Sequence, residues 1–291
     1  MVTLQAEVFL ATQAVLGEGP VWDPRVGELQ WVDIAGCSVH RWSAATGFGP
    51  VVVVDETVGA AVPCADSSRW IVGLRSGVAI VDQDGTVAWR VDVDAARDTH
   101  RMNDGKCDAA GRFWTGTMHE GDGPASSALY RVSGGEVTTM VGDVGLSNGL
   151  AWSPDNATMY RVDSLRRHVY AADYQLDDGT LRNERVLVDY TAGPGEPDGL
   201  CVDAEGCLWV AVWDGWAVHR HAPTGERIAE VPVPVARPTS VTFGGERLDT
   251  LFITSASRWL SDEELAAQPH AGDIFACEPG VVGLPLQTYA G

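Results

Sequence analysis

The sequence predicts an all-β chain folded as a six-bladed β-propeller. Three observations lead there: one strand-and-turn pattern recurs six times, its spacing is nearly constant, and helical periodicity is almost absent. The recurring unit is a turn rich in Asp, Gly or Ser followed by an apolar strand with an aromatic at its centre. It occurs at 28–34 (ELQWVDI), 68–74 (SRWIVGL), 111–117 (GRFWTGT), 157–163 (ATMYRVD), 206–212 (GCLWVAV) and 249–255 (DTLFITS). The central aromatics are Trp31, Trp70, Trp114, Tyr160, Trp209 and Phe252, at intervals of 39, 44, 46, 49 and 43 residues. A period of about 45 residues is what a four-stranded propeller blade occupies.

A second short strand precedes each of these units. The six are 19–23 (GPVWD), 59–63 (GAAVP), 105–108 (GKCD), 149–153 (GLAWS), 199–203 (GLCVD) and 239–243 (TSVTF). Each pair forms a hairpin, and turns such as 108–111 (DAAG) and 203–206 (DAEG) supply the glycine a tight reversal needs. Third strands follow at 40–42, 78–82, 128–132, 169–174 and 218–221. Residues 6–15 precede the first hairpin and are expected to close the last blade. Helical patterning is confined to 261–267 (SDEELAA), a capped turn or two on a loop. A β-sandwich or two small β domains is the rival arrangement. A period that runs through the whole chain without a linker favours one propeller domain over residues 1–291.

Composition narrows the function. The chain has 40 acidic and 20 basic residues, a formal charge of −20. Phosphate backbones need a positive surface, so nucleic acid is excluded as a partner, and an anionic membrane surface likewise. No apolar run approaches the ~20 residues of a spanning helix. The N-terminal residues lack the basic start of a signal peptide, so the expected compartment is cytoplasmic. The six cysteines (37, 64, 107, 201, 207 and 277) are expected to be free thiols in that setting. The 33 glycines and 11 tryptophans fit short, heavily packed strands joined by turns.

In a propeller the innermost strand of each blade lines the central channel. Just before the glycines of four inner strands stand Glu18, Asp104, Asn148 and Asp198. Asp and Asn before Gly are common in turns, but a turn does not place them at the same point of each blade. Glu is a poor turn residue, which makes Glu18 the most informative member. Four oxygen donors on one axis call for a divalent cation, and an all-oxygen set suits Ca2+, Mg2+, Mn2+ or Zn2+. The GLSNG stretch at 145–149 matches a serine-hydrolase elbow, but it reads as strand and turn without the helix that motif requires. No zinc-protease, phosphate-loop or dinucleotide motif occurs.

At these residues the chain resembles the senescence-marker-protein/gluconolactonase family of regucalcin-like sugar lactonases. The resemblance runs over nearly the whole length and is carried by 16–22 (LGEGPVW), 31–34 (WVDI), 101–106 (RMNDGK), 116–118 (GTM), 147–150 (SNGL), 197–200 (PDGL) and 243–245 (FGG). It implies a six-bladed propeller with one divalent cation in the channel, held by Glu18, Asn148 and Asp198. It further implies that Arg101 and Asn103 contact substrate, so that Asn103 rather than Asp104 faces the channel. The family pattern has two successive acids after Thr-Met-Ala, the second of them binding substrate. Here the stretch reads Thr117-Met-His119-Glu120-Gly121-Asp122, which leaves His119, Glu120 or Asp122 as substitutes.

The expected reaction is hydrolysis of a sugar (aldono-) lactone to its aldonic acid. Asp198 is the candidate general base. The alternative is that the cation itself acidifies the attacking water and Asp198 is a ligand only. Trp22, Trp152 and Trp213 are candidate walls of the pocket, against the commoner role of tryptophan in blade packing. Two other functions fit the same platform: hydrolysis of another ester or phosphotriester, and a non-enzymatic calcium-binding regulatory propeller. The expected partner is a small-molecule sugar lactone, and the expected state a monomer or weak homo-oligomer.

Overall fold

The computed structural model describes residues 4–66, 68–93, 99–120 and 126–291. Its strands form six antiparallel sheets, the blades of the expected propeller. The first blade holds β2 (Gly17–Asp23), β3 (Glu28–Asp33) and β4 (Ser38–Ser43), with the short β5 (Gly47–Phe48) and β6 (Val52–Val53) both paired to β4. The second holds β7 (Val58–Pro63), β8 (Arg69–Leu74), β9 (Gly77–Asp82) and β10 (Val87–Asp92). The third holds β11 (His100–Cys107), β12 (Phe113–His119), β13 (Ser127–Ser133) and β14 (Glu136–Val144). The fourth holds β15 (Ser147–Trp152), β16 (Thr158–Asp163), β17 (His168–Gln175) and β18 (Thr180–Asp189). The fifth holds β19 (Glu196–Val202), β20 (Leu208–Trp213), β21 (Ala217–His221) and β22 (Arg227–Pro232). The sixth holds β23 (Pro238–Gly244), β24 (Thr250–Ser255) and β25 (Ile274–Cys277), and β1 (Glu7–Leu10) pairs with β25 to complete it.

In the third and fifth blades the repeat has a local physical cause. In the third blade Asp108 Oδ1 accepts the Ala110 and Arg112 backbone N–H groups, both at 3.0 Å, and its Oδ2 accepts the Trp114 indole N–H at 2.8 Å. In the fifth, Asp203 does the same for Glu205, Cys207 and Trp209 at 3.0, 2.9 and 2.9 Å. Turn aspartate and central tryptophan are therefore one unit: the carboxylate satisfies the turn and the otherwise unpaired indole together. All six central aromatics are buried, and they form part of the apolar layers between blades. The one helix among the described residues, α1 (Asp262–Ala267), begins at a Ser261–Glu264 capping box, as its sequence predicts. All six cysteines are unpaired. Among the described residues no helix is long and apolar enough to cross a membrane.

Two features were not expected. Every inner strand (β2, β7, β11, β15, β19, β23) has a break in register at its start, at Glu18/Val21, Val58/Ala60, Met102/Gly105, Asn148/Leu150, Pro197/Leu200 and Pro238/Ser240. Such bulges re-aim side chains and end regular pairing. The glycines beside them permit close packing around the axis: a Cβ on Gly199 would sit 2.1 Å from Ser240 Oγ, and one on Gly149 2.6 Å from the Asp198 carbonyl oxygen. The second feature is a C-terminal strap. Gly283 N–H donates to Leu248 O (2.8 Å), Tyr289 N–H to Pro63 O (3.1 Å) and Ala290 N–H to Gly111 O (2.9 Å). The strap thus runs from the sixth blade to the second and third, beside one mouth of the channel.

Candidate active site at the channel mouth

The inner strands all run the same way along the channel, so their first residues meet at one mouth. There a cavity of about 110 Å³ is lined by Glu18, Arg101, Asn103, Asn148, Glu196 and Asp198, with Leu16, Ile34, Met118, Leu146, Ser164, Trp213 and Trp259 around them. Glu18, Asn103, Asn148 and Asp198 come from the inner strands of four different blades, and each is buried at 5–7% exposure.

Anchors behind the strands fix the donors. Asp33, at the end of β3, accepts the Val15 and Leu16 N–H groups at 3.0 Å each, just ahead of Glu18. Asp163, at the end of β16, accepts those of Gly145 and Leu146 at 2.8 and 3.1 Å, just ahead of Asn148. Asn148 Nδ2 donates to Ser164 Oγ (3.1 Å), which donates on to Pro197 O (2.7 Å), so the fourth and fifth blades share a chain of bonds ending beside Asp198. Gly19, with φ +53°, lets its own N–H turn back onto Glu18 Oε2 at 2.7 Å.

The electrostatics are those of uncompensated acid. Burial raises the Glu18 carboxyl to about 8, the charge of Asp104 adding to the effect. Asp198 is pushed well above the ordinary aspartate value, first by burial and then by Glu18 and Asp104. Asp198 Oδ1 is buried and, among the described residues, accepts no hydrogen bond. A buried carboxylate oxygen without a partner costs on the order of 1–3 kcal/mol or more, and a cation is the partner chemistry that removes the cost. The oxygens of Glu18, Asn148 and Asp198 fit a hard divalent ion.

Arg101 lies almost wholly buried beside this acid. Its Nη1 donates to Asn103 Oδ1 (2.9 Å) and Met102 O (3.0 Å), and its Nε to Glu120 Oε1 (3.2 Å). Among the described residues its Nη2 makes no hydrogen bond. Asn103 Nδ2 donates to Ser147 O at 2.9 Å, which holds its side chain across to the fourth blade.

Not every sequence candidate reaches the cavity. Asn103 lines it and Asp104 does not: the bulge at Met102/Gly105 turns the two apart, and Asp104 Oδ1 accepts Gly105 N–H at 2.6 Å, with the Lys106 charge close by. Glu120 stands at the rim, bridging Arg101 and Arg75. His119 pairs with His100 across β11–β12, ring centroids 4.9 Å apart, and is absent from the cavity wall. Gly121 and Asp122 lie outside the described residues. Of the three tryptophans, Trp213 lines the cavity, while Trp22 and Trp152 belong to a separate cavity at the other mouth. Ser147 is a buried strand residue packed on Gly116, not a nucleophile on an elbow. The cluster of Asp203, Glu205 and Cys207 on the β19–β20 turn uses its Asp203 oxygens for the turn itself.

Sequence reasoning missed Asp33, Asp163, Ser164, Glu196 and Trp259. The first two had a signal: Val-Asp ends the central strand of both the first and the fourth blades, one strand away from the two donors they position.

Comparison with known proteins agrees with this fold. Residues 16–257 match the family described as the SMP-30/Gluconolactonase/LRE-like region. The chain is 39% identical to regucalcin of Gallus gallus over 285 residues, 95% of each chain. It is 38% identical to the 6-deoxy-6-sulfogluconolactonase of Pseudomonas putida over 282 residues, 96% of each. The solved structure of regucalcin from Agrobacterium tumefaciens, described as a calcium-binding protein, superposes with a TM-score of 0.94 at 28% identity over the full length of both. Matched by the family model over residues 16–257 and 38–39% identical to two relatives over nearly its whole length, the chain belongs to the SMP-30/gluconolactonase family.

Proposed function

We propose that this protein is a divalent-metal-dependent hydrolase that opens a sugar (aldono-) lactone to its aldonic acid. The observation that carries this reading is the buried, mutually repelling pair Glu18 and Asp198, with Asp198 Oδ1 unpartnered, facing a cavity that also holds Arg101. Glu18, Asn148 and Asp198 would hold the ion. When bound, a divalent cation supplies Lewis-acid polarisation of a carbonyl and neutralises developing negative charge. Asp198 takes a proton from the attacking water as the new C–O bond forms, and returns it to the ring oxygen as the ring C–O bond breaks. The free Nη2 of Arg101 binds substrate oxygens, and Glu120 and Asn103 hold the guanidinium in place for this. The Pseudomonas relative, a lactonase by its name, supports the lactone class.

The test is turnover of five- and six-membered aldonolactones with and without chelator. Turnover that chelator abolishes and a divalent ion restores is the expected result. Absence of turnover on every aldonolactone with metal present overturns it. The calcium-binding description of the Agrobacterium relative favours one second reading, a non-enzymatic calcium-binding propeller, and that outcome would select it.

A further inference from the structure

We propose that Arg258 selects lactones bearing a second anionic group, a carboxylate or sulfonate, at the end remote from the ring carbonyl. The proposal rests on the lactonase reading for the orientation of the substrate. Arg258 lies on the loop that follows β24. Its N–H and that of Ser257 both donate to Val15 O, at 2.9 and 3.2 Å, and Ser257 Oγ donates to Ala14 O at 3.0 Å. The loop is thereby tied to the segment that leads into Glu18. The Arg258 carbonyl is held in turn by Arg237, whose own guanidinium is paired with Asp214 at 2.7 Å. The backbone under Arg258 is thus fixed from two sides.

Its side chain is placed by aromatic contact. The guanidinium carbon lies 4.8 Å from the Trp259 ring centroid, and Trp259 meets Trp213 edge-on at 5.9 Å. Both tryptophans line the cavity that holds Glu18 and Asp198. Trp259 is 65% exposed, so this end of the cavity opens to solvent. A lactone with its carbonyl among the acids at the bottom would extend its far carbon along the two indoles toward Arg258. Aromatic faces suit the C–H side of a sugar ring, and a guanidinium suits a planar or tripodal oxyanion.

What marks Arg258 is the lack of an acidic partner among the described residues. Acids outnumber bases 40 to 20 in this chain, yet among the described residues its guanidinium makes no hydrogen bond and no ion pair. Other cations near the site each have an acidic partner: Arg101 and Arg75 share Glu120, and Arg237 takes Asp214. Arg258 also acts on the site. Burial lowers Arg101 to about 10, and against the opposing pull of Glu120 the Arg258 charge adds to the lowering. Two guanidiniums that repel across one space make a receptor for an anion. Glu196 stands on the same cavity wall, opposite Trp213 in the β19–β20 register.

The experiment compares kcat/KM for a neutral aldono-1,5-lactone with that for the same ring carrying a C6 carboxylate or a C6 sulfonate, divalent metal saturating. Arg258→Ala should lower the anionic-to-neutral ratio about tenfold or more, mainly through KM, with the effect shrinking at high salt. Arg258→Glu should lower it further and Arg258→Lys should retain part of it; the neutral substrate reports that each variant is folded. A parent that prefers the neutral lactone, or a ratio unmoved by Arg258→Ala, overturns the proposal. If the parent opens no lactone, calorimetry of a C6-dianionic sugar acid against its monoanionic counterpart decides the matter separately. Tighter dianion binding that Arg258→Ala removes upholds the anion site without the lactonase reading, and equal binding of the two acids rejects it.

Discussion

The two mouths of the channel are built by opposite ends of the same inner strands, and they differ in every chemical respect. At the strand starts the cavity of about 110 Å³ gathers Glu18, Asn148, Asp198 and Arg101. At the strand ends a larger one, about 180 Å³, gathers Trp22, Trp152, Phe243, Leu284 and Leu286, with the C-terminal strap along it. There Lys106 is satisfied by the Leu200 carbonyl at 2.9 Å. Size does not mark the reactive end. Unpaired acid does: the smaller cavity contains a carboxylate oxygen that nothing among the described residues satisfies, and the larger contains apolar surface that the strap covers.

The sharpest probe of this contrast is Asp198→Asn. The amide keeps an oxygen donor but accepts no proton, so lactone turnover at saturating metal should fall by about 10²–10⁴. Asn148→Ala, which removes a donor that was never a base, should be partly rescued by excess metal. Full rescue of Asp198→Asn would restrict that residue to holding the ion. At the other mouth, Phe243→Ala should cost about 3–5 kcal/mol of stability in denaturant unfolding, since the ring is buried against Trp209 and Gly283. Turnover per folded molecule should survive. A collapse of kcat in the folded variant would mean the two mouths are coupled and break the contrast.

Glu18→Gln separates stability from binding. In the metal-free protein the Glu18 carboxyl is raised to about 8, above its value in the unfolded chain. Its contribution to stability is therefore complete below about pH 4.5 and lost as pH rises through about 8. The glutamine variant should match the metal-free parent in acid and exceed it by about 1–3 kcal/mol near pH 9, while binding a divalent ion more weakly. In the parent, metal affinity should climb with pH up to about 8, with proton release on binding. Equal pH profiles for the metal-free variant and parent would disprove the buried-acid account. The smallest effect belongs to Leu286→Ala, which trims the half-buried strap and should cost about 1 kcal/mol with no change in metal affinity.

The blades were legible because every central aromatic is buried at the same point of its blade, and in the third and fifth a short-range bond ties it to its turn, Asp108–Trp114 and Asp203–Trp209. The donor set was partly legible for the same reason: residues before the inner-strand glycines recur in phase. The assignment of Trp22 and Trp152 to the site failed on distance. Each lies four residues beyond its donor, Glu18 or Asn148, on an extended strand, which is roughly 13 Å down the channel. Trp213 escapes this because β20 runs antiparallel to β19 and returns its last residue to the polar mouth, opposite Glu196. The strap and Trp259 had no local signature, since irregular segments are placed by what they cover rather than by their own periodicity. The turning apart of Asn103 and Asp104 depended on a bulge, which alternation alone does not predict.

The closing strand β1 has a consequence for how the molecule is made. Its neighbour Thr12 bonds Gly272, 260 residues away, so the ring is sealed by contacts that exist only once nearly all of the chain has been synthesised. Such long-range pairing is slow, and an unsealed ring presents the bare edge of β25 to other chains in the interval. Glu18 follows β1 closely and Asp198 belongs to the fifth blade, so the donors assemble late as well. An ion that bridges them would leave the folding rate nearly untouched and act on the return path, lengthening the lifetime of the finished ring.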